Sequence, residues 1–230
     1  MLKGKRIKAS YSKIDKNKAY LLEDAVSLLK KFAPAKFDEA VDVAINLNVN
    51  PRRAEQNIRS TVVLPHGTGK TKKIAVVCKG EKEVQAKEAG ADFVGSDDLL
   101  EKISNGWFDF DILIATPDMM RDLGKLGKLL GPRNLMPNPK SGTVTMDITK
   151  AVNEVKSGKV EFRVDSYGII HSSAGKISFI ADNLIGNIQA LVDIILKLKP
   201  STVKGIFLKN VTISSTMGPG VKIDTASFFK

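Results

Sequence analysis

Cysteine, histidine and tryptophan are scarce: 230 residues hold one cysteine, two histidines and one tryptophan. A single Cys78 excludes an internal disulfide and any metal centre built on several thiolates. It stands in the apolar run Ile74-Ala75-Val76-Val77-Cys78 and reads as a small buried hydrophobe. His66 lies in a glycine-rich stretch, and His171 reads as a turn residue beside Ser172 and Ser173. No serine is framed as Gly-x-Ser-x-Gly, and no His-Glu-x-x-His occurs. We therefore expect no enzyme: no catalytic residue, no metal and no cofactor. Long apolar runs are also missing, and the opening MLKGKRIKAS lacks the apolar core of a signal peptide. No membrane partner is expected, and a reducing cytoplasm fits.

Acidic residues are in deficit. There are 36 Lys and Arg against 25 Asp and Glu, a net charge of +11. A basic protein of this size points to a polyanion, with nucleic acid ahead of an acidic lipid surface.

The stretch VVLPHGTGKT (62–71) resembles a phosphate loop, Gly-x-x-x-x-Gly-Lys-Ser/Thr between a strand and a helix. Gly69, Lys70 and Thr71 match its second half, but Leu64 occupies the first glycine position. The residues after Thr71 read as a strand, so no helix N-terminus would face a phosphate. The glycines read instead as a flexible connection. A nucleotide-binding enzyme using Gly67–Thr71 stands as the alternative, which a nucleotide-binding assay separates. The turn Cys78-Lys79-Gly80-Glu81-Lys82 has one glycine where a dinucleotide site needs three, which argues against NAD or FAD.

Along the chain, residues 1–18 hold seven basic side chains and one acid, Asp15, and read as a partly disordered basic arm. Apolar spacing predicts a helix over 20–32, stopped by Pro34. Alternation predicts strands over 37–47 and 58–64, with a turn beginning at Asn50-Pro51. Between 68 and 159 short strands alternate with helices: strands at 74–78, 92–94, 112–115 and 143–146, helices at 82–89, 97–104, after Pro117 and at 148–156. That alternation implies a parallel sheet with crossovers. Strands at 159–165 and 177–180 follow, then a long helix capped by Asp182 or Asn183 and ended by Pro200. A last strand is predicted over 205–215.

Neither end of the chain has enough strands for a sheet of its own. The fold class expected is α/β: a discontinuous α+β domain, 1–67 plus 160–230, interrupted by an inserted Rossmann-like three-layer α/β domain, 68–159. Gly67, Gly69 and Gly158 mark the two crossings and suit a hinge. The split domain carries 21 basic and 12 acidic side chains, +9, whereas 68–159 carries 15 and 13, +2. The polyanion should meet the split domain first.

Two loops stand out. GPRNLMPNPK (131–140) has three prolines, which pre-set the backbone. It reads equally as a preformed surface for RNA phosphates or protein and as a structural loop joining helix to strand. TISSTMGPG (212–220) places hydroxyls, glycine N–H groups and a methionine at a tight turn, and Lys36-Phe37 pairs charge with a flat apolar ring.

Five segments together, NPRRAEQNIRSTVVLPHGTGKT, GADFVGSDDLLEKI, LGPRNLMPNPKSGTV, EFRVDSYGIIH and STMGPGVKID, closely resemble the bacterial-type ribosomal protein L-one family, the protein of the large-subunit stalk. The resemblance spans nearly the whole chain. It implies a two-domain, non-enzymatic protein, a monomer when free, that binds the stalk region of large-subunit ribosomal RNA near the tRNA exit site. It also implies contact with tRNA there, aid to the movement and release of deacylated tRNA, and repression of its own messenger RNA through the mRNA leader. By motif, RNA contacts are implied at Lys36, Phe37 and Glu39, at Glu161, Arg163, Asp165 and Gly168, and at Thr216, Met217 and Gly218. The chain departs from the family at Asn134 and Ser60, where glycine is usual, and at Ser166, where a lysine is common. Asn tolerates positive φ, so the 131–140 loop can be retained; Ser166 removes one phosphate contact.

Overall fold

A computed structural model describes residues 10–11, 14–15, 18–33 and 35–229. Most of the basic arm and Pro34 lie outside the described residues. The described residues divide into two compact units, Met1–Gly69 with Val160–Lys230, and Lys70–Lys159.

In the split unit, helix α1 (Leu22–Lys31) carries Glu23 and Asp24 in its first turn and Lys30 and Lys31 in its last, each sign complementing the helix dipole. Its Leu22, Ala25, Val26 and Leu29, spaced by three and four, are buried. Strand β1 (Ala40–Leu47) alternates, with Val41, Val43, Ile45 and Leu47 inward. Strands β2 (Arg59–Val63) and β6 (Lys159–Arg163) pair as a two-stranded ribbon. Strands β7 (Ile169–Lys176), β8 (Leu208–Ser215) and β9 (Gly220–Ile223) join β1 in a four-stranded antiparallel sheet, order β7-β1-β8-β9. Helix α7 (Ala181–Lys197) buries Leu184, Ile188, Leu191, Val192 and Ile195 against the same core as β1 and α1. Each such side chain contributes about 1.5–3 kcal/mol of burial. One sheet face is thereby covered.

The second unit holds β3 (Ile74–Val77), α2 (Glu81–Glu88), β4 (Phe93–Gly95), α3 (Asp97–Ser104), β5 (Ile112–Ala115), α4 (Met120–Lys125), α5 (Gly127–Leu130) and α6 (Ile148–Lys156). Its strands are parallel, order β4-β3-β5. Every residue of β3 is buried, as expected of a strand covered on both faces. Ala75 and Val77 join Leu99, Ile103 and Leu123 on one side, while Ile74 and Val76 join Ala86, Ile148 and Val152 on the other. The result is helix, sheet, helix.

Several expectations need correction. Ile177–Ile180 is not a strand but a turn; the strand is β7, eight residues earlier at its start. His171, Ser172 and Ser173 sit within that strand and not in a turn, because Ile170, Ser172 and Ala174 alternate inward where small side chains admit α7. The long helix begins one residue before the expected cap: Ile180 is the N-cap, and Asp182 stands in the first turn. The 205–215 strand is not the last, since β9 follows it. The segment 143–146 makes only a single parallel bridge, Ala115 to Val144. Local bonding holds its approach: Thr143 Oγ1 accepts from Asn138 N at 2.8 Å, and Asn138 Oδ1 accepts from Lys140 N at 2.9 Å. Lys36 and Phe37 lie in a bend ahead of β1, which starts only at Ala40.

Candidate nucleic-acid interface

The start of β1 and the end of β8, the two central strands, meet at one end of the sheet. Ala40 N donates to Thr216 Oγ1 at 3.0 Å, and Thr216 N donates to Ala40 O at 3.1 Å. Glu39 is 1% exposed; its carboxylate accepts from Ala35 N at 3.1 Å and from Met217 N at 2.9 Å. Around this buried acid stand exposed Lys36, Phe37 at 56% exposure and Met217 at 47%. Gly218 closes the turn over Ser215, and a Cβ there would collide with Ser215 Oγ. A larger residue at 218 would have to push the Ser215 hydroxyl aside.

The other predicted cluster lies at the far end of β1. Leu47 N donates to Gly168 O at 2.9 Å. Gly168 has φ 83°, and a Cβ would stand 3.1 Å from Leu47 O, so this turn requires glycine. Asp165 Oδ1 accepts from Tyr167 N at 2.9 Å and Ile169 N at 2.8 Å. Burial pushes the Asp165 carboxyl up, but those two N–H groups and nearby His171 outweigh it and hold the acid below its usual range. Asp165 and Gly168 thus shape the turn, while Arg163 and Glu161 are exposed on β6, Glu161 paired with Arg59 at 2.5 Å. Arg52, Arg163 and Tyr167, the last 82% exposed, border a groove of about 400 Å³.

The predicted residues therefore form two groups, separated by the length of β1, about 24 Å for seven residue steps. The uncovered face of the sheet connects them. Ala44 lies opposite His171 and Thr212, Asp42 opposite Ser173 and Ser214, and Thr212 opposite Lys222. His171 carries the one aromatic ring among these side chains and none is Phe, Tyr or Trp, so apart from that imidazole the face offers hydroxyl and charge contacts to a sugar-phosphate backbone. Sequence reasoning missed His171 and Ser173 because it placed them in a turn. The period-two pattern Ile170, Ser172, Ala174 was the available signal, muted by the polar Ser172 and the small Ala174.

Gly67 and Gly69 have φ 66° and 69°, and Gly158 has φ 96°. Residues 70–73 are not helical, so Lys70 has no helix N-terminus behind it and the phosphate-loop geometry is absent. In the 131–140 loop Asn134 has φ 57°, the one positive-φ residue other than glycine among those described, and the Arg133 guanidinium sits 3.9 Å from the Phe108 ring centroid. Among the described residues no group of three His, Cys, Asp or Glu could hold a metal ion, and no helix is long and apolar enough to cross a membrane.

Comparison with known families adds the decisive point: the model of the Ribosomal protein L1p/L10e family matches residues 29–219. That span takes in both clusters and three of the sheet's four strands, β1, β7 and β8. The chain belongs to this family, and is a non-enzymatic, RNA-binding constituent of the large ribosomal subunit.

Proposed function

We propose that the protein binds the stalk region of large-subunit ribosomal RNA near the tRNA exit site, and that the split unit provides the binding surface. Support comes from one juxtaposition: Phe37 and Met217 project beside Lys36 at one end of an open, hydroxyl-rich sheet face, with Arg163 at the other. Lysine and arginine meet phosphates, the turn at 216–218 brings backbone close to the RNA, and the face reads shape and 2′-hydroxyls more than base edges. Exposed Phe37 and Met217 pack on unstacked bases. Charge supports the same division: the split unit holds +9 of the net +11, since residues 68 and 69 are uncharged.

On this reading Lys36, Phe37, Arg163, Thr216, Met217 and Gly218 meet RNA, and Glu161 is held by Arg59 at the margin. Gly67, Gly69 and Gly158 serve as the hinge between the units. Binding of tRNA at the exit site, aid to its release, and repression of the protein's own mRNA through a leader that mimics the stalk complete the proposal. Competition tests it: unlabelled mRNA leader should displace a labelled stalk fragment, with one protein bound at a time. Simultaneous binding of both RNAs would refute a shared face.

A further inference from the structure

Family likeness would make Glu39 an RNA contact, yet its side chain is the most deeply buried acid of the proposed face. A buried carboxylate persists only when hydrogen-bond donors replace water. Here the donors are backbone N–H groups from two different segments. Oε1 takes Ala35 N, one residue before Lys36, and Oε2 takes Met217 N. The backbone on either side of Glu39 is committed as well: Glu39 O accepts from Ile177 N at 2.9 Å, and Ala40 exchanges bonds with Thr216. One carboxylate thereby clasps the bend that presents Lys36 and Phe37 to the turn that presents Met217.

We propose that Glu39 is a positioning residue: it never touches RNA, and it fixes the spacing of Phe37 and Met217 so that both meet the RNA at once. The proposal rests on the reading that these two side chains face RNA. Its logic is that of preorganisation. Two exposed apolar side chains on separate loops would each lose freedom on binding, and a clasp made beforehand removes that cost from the binding step. The chemistry requires a carboxylate specifically. Two N–H donors need two acceptors, and an amide offers one acceptor and one donor, so Glu39→Gln keeps the volume but sets N–H against N–H on one side. Glu39→Asp shortens the reach by one methylene and cannot span both segments.

The test combines RNA affinity with amide hydrogen exchange by NMR on the free, full-length protein. In the parent, Ala35 and Met217 amides should be protected. In Glu39→Gln the protection of at least one of them should fall at least tenfold, RNA affinity should fall at least tenfold, and amides of α7 such as Leu191 should keep their protection. Lower affinity with both amides still protected would make Glu39 a direct RNA contact and overturn the proposal. Lost protection with unchanged affinity would overturn it equally. If Glu39→Gln does not fold, the parent alone decides: unprotected Ala35 and Met217 amides refute the clasp, and protection retained on the free protein sustains it. Phe37→Ala and Met217→Ala serve as the separate control. If neither weakens RNA binding, the RNA-face reading itself fails, and the positioning role falls with it.

Discussion

Asn187, fully buried in α7, donates from Nδ2 to Gly67 O at 2.9 Å, and so ties the helix to the last residues of the split unit's first segment. The same amide donates to Ala174 O at 2.7 Å and accepts from His66 N at 3.0 Å, so both N–H donors and the carbonyl oxygen are engaged. Substituting Asn187→Leu preserves volume and strands these backbone groups. Each buried unpartnered group costs about 1–3 kcal/mol, so the split unit should lose about 3 kcal/mol in urea unfolding. A loss under about 1 kcal/mol would show that water replaces the amide.

Cys78 gives a pH prediction. Its thiol is fully buried, and burial, aided by nearby Glu83 against the opposing Lys82, pushes it up to about 11 from 9.0. The thiolate forms more readily in the unfolded chain, so stability is unaffected below pH 9 and declines as pH rises from 9 toward 11. At pH 8 a thiol reagent should modify the folded protein far more slowly than the denatured one. Equal rates would place the thiol at the surface.

Thr216 and Met217 separate two kinds of loss. Thr216→Val removes the acceptor for Ala40 N, so it should cost about 1–2 kcal/mol of stability as well as RNA affinity. Met217→Ala removes only exposed packing surface; RNA affinity should fall by about 1–3 kcal/mol with folding unchanged. Calorimetry of unfolding and of RNA binding on the same samples checks both. Equal stability loss in the two variants would contradict the geometry.

Much of the fold was legible from apolar period and from short apolar runs. Asp97–Ser104, Ile112–Ala115 and Ile148–Lys156 carry strong, unmixed patterns, and the structure places these elements at the residues expected. Failures fall where small polar residues stand in core positions or where a tertiary partner sets the boundary. Ser172 and Ala174 blur the alternation of β7. Ile180 caps α7 without a side-chain bond, so no cap signal marks its start. The burial of Glu39 is invisible in sequence because its partners, Ala35 N and Met217 N, are backbone groups, one of them 178 residues away. Asn187 reads as one polar residue on an apolar helix face, with nothing to show that His66 and Gly67 need it.

Salt dependence follows from the +9 of the split unit. The logarithm of the stalk-RNA binding constant should fall linearly with that of salt concentration, with a slope of roughly −0.7 to −0.9 per phosphate neutralised. Several phosphates are expected, Lys36 and Arg163 among their partners. Arg163→Ala should reduce the slope by about one. A slope near zero would exclude phosphate-dominated binding.

The central claim is that RNA lies on the split unit, across Phe37, the open sheet face and Met217. Ultraviolet crosslinking of the full-length protein to the stalk RNA fragment, with the modified peptides identified by mass spectrometry, tests it most directly. The account predicts crosslinks in peptides containing Phe37, His171 and Met217, abolished by excess unlabelled stalk RNA. Crosslinks confined to residues 70–159 would contradict it.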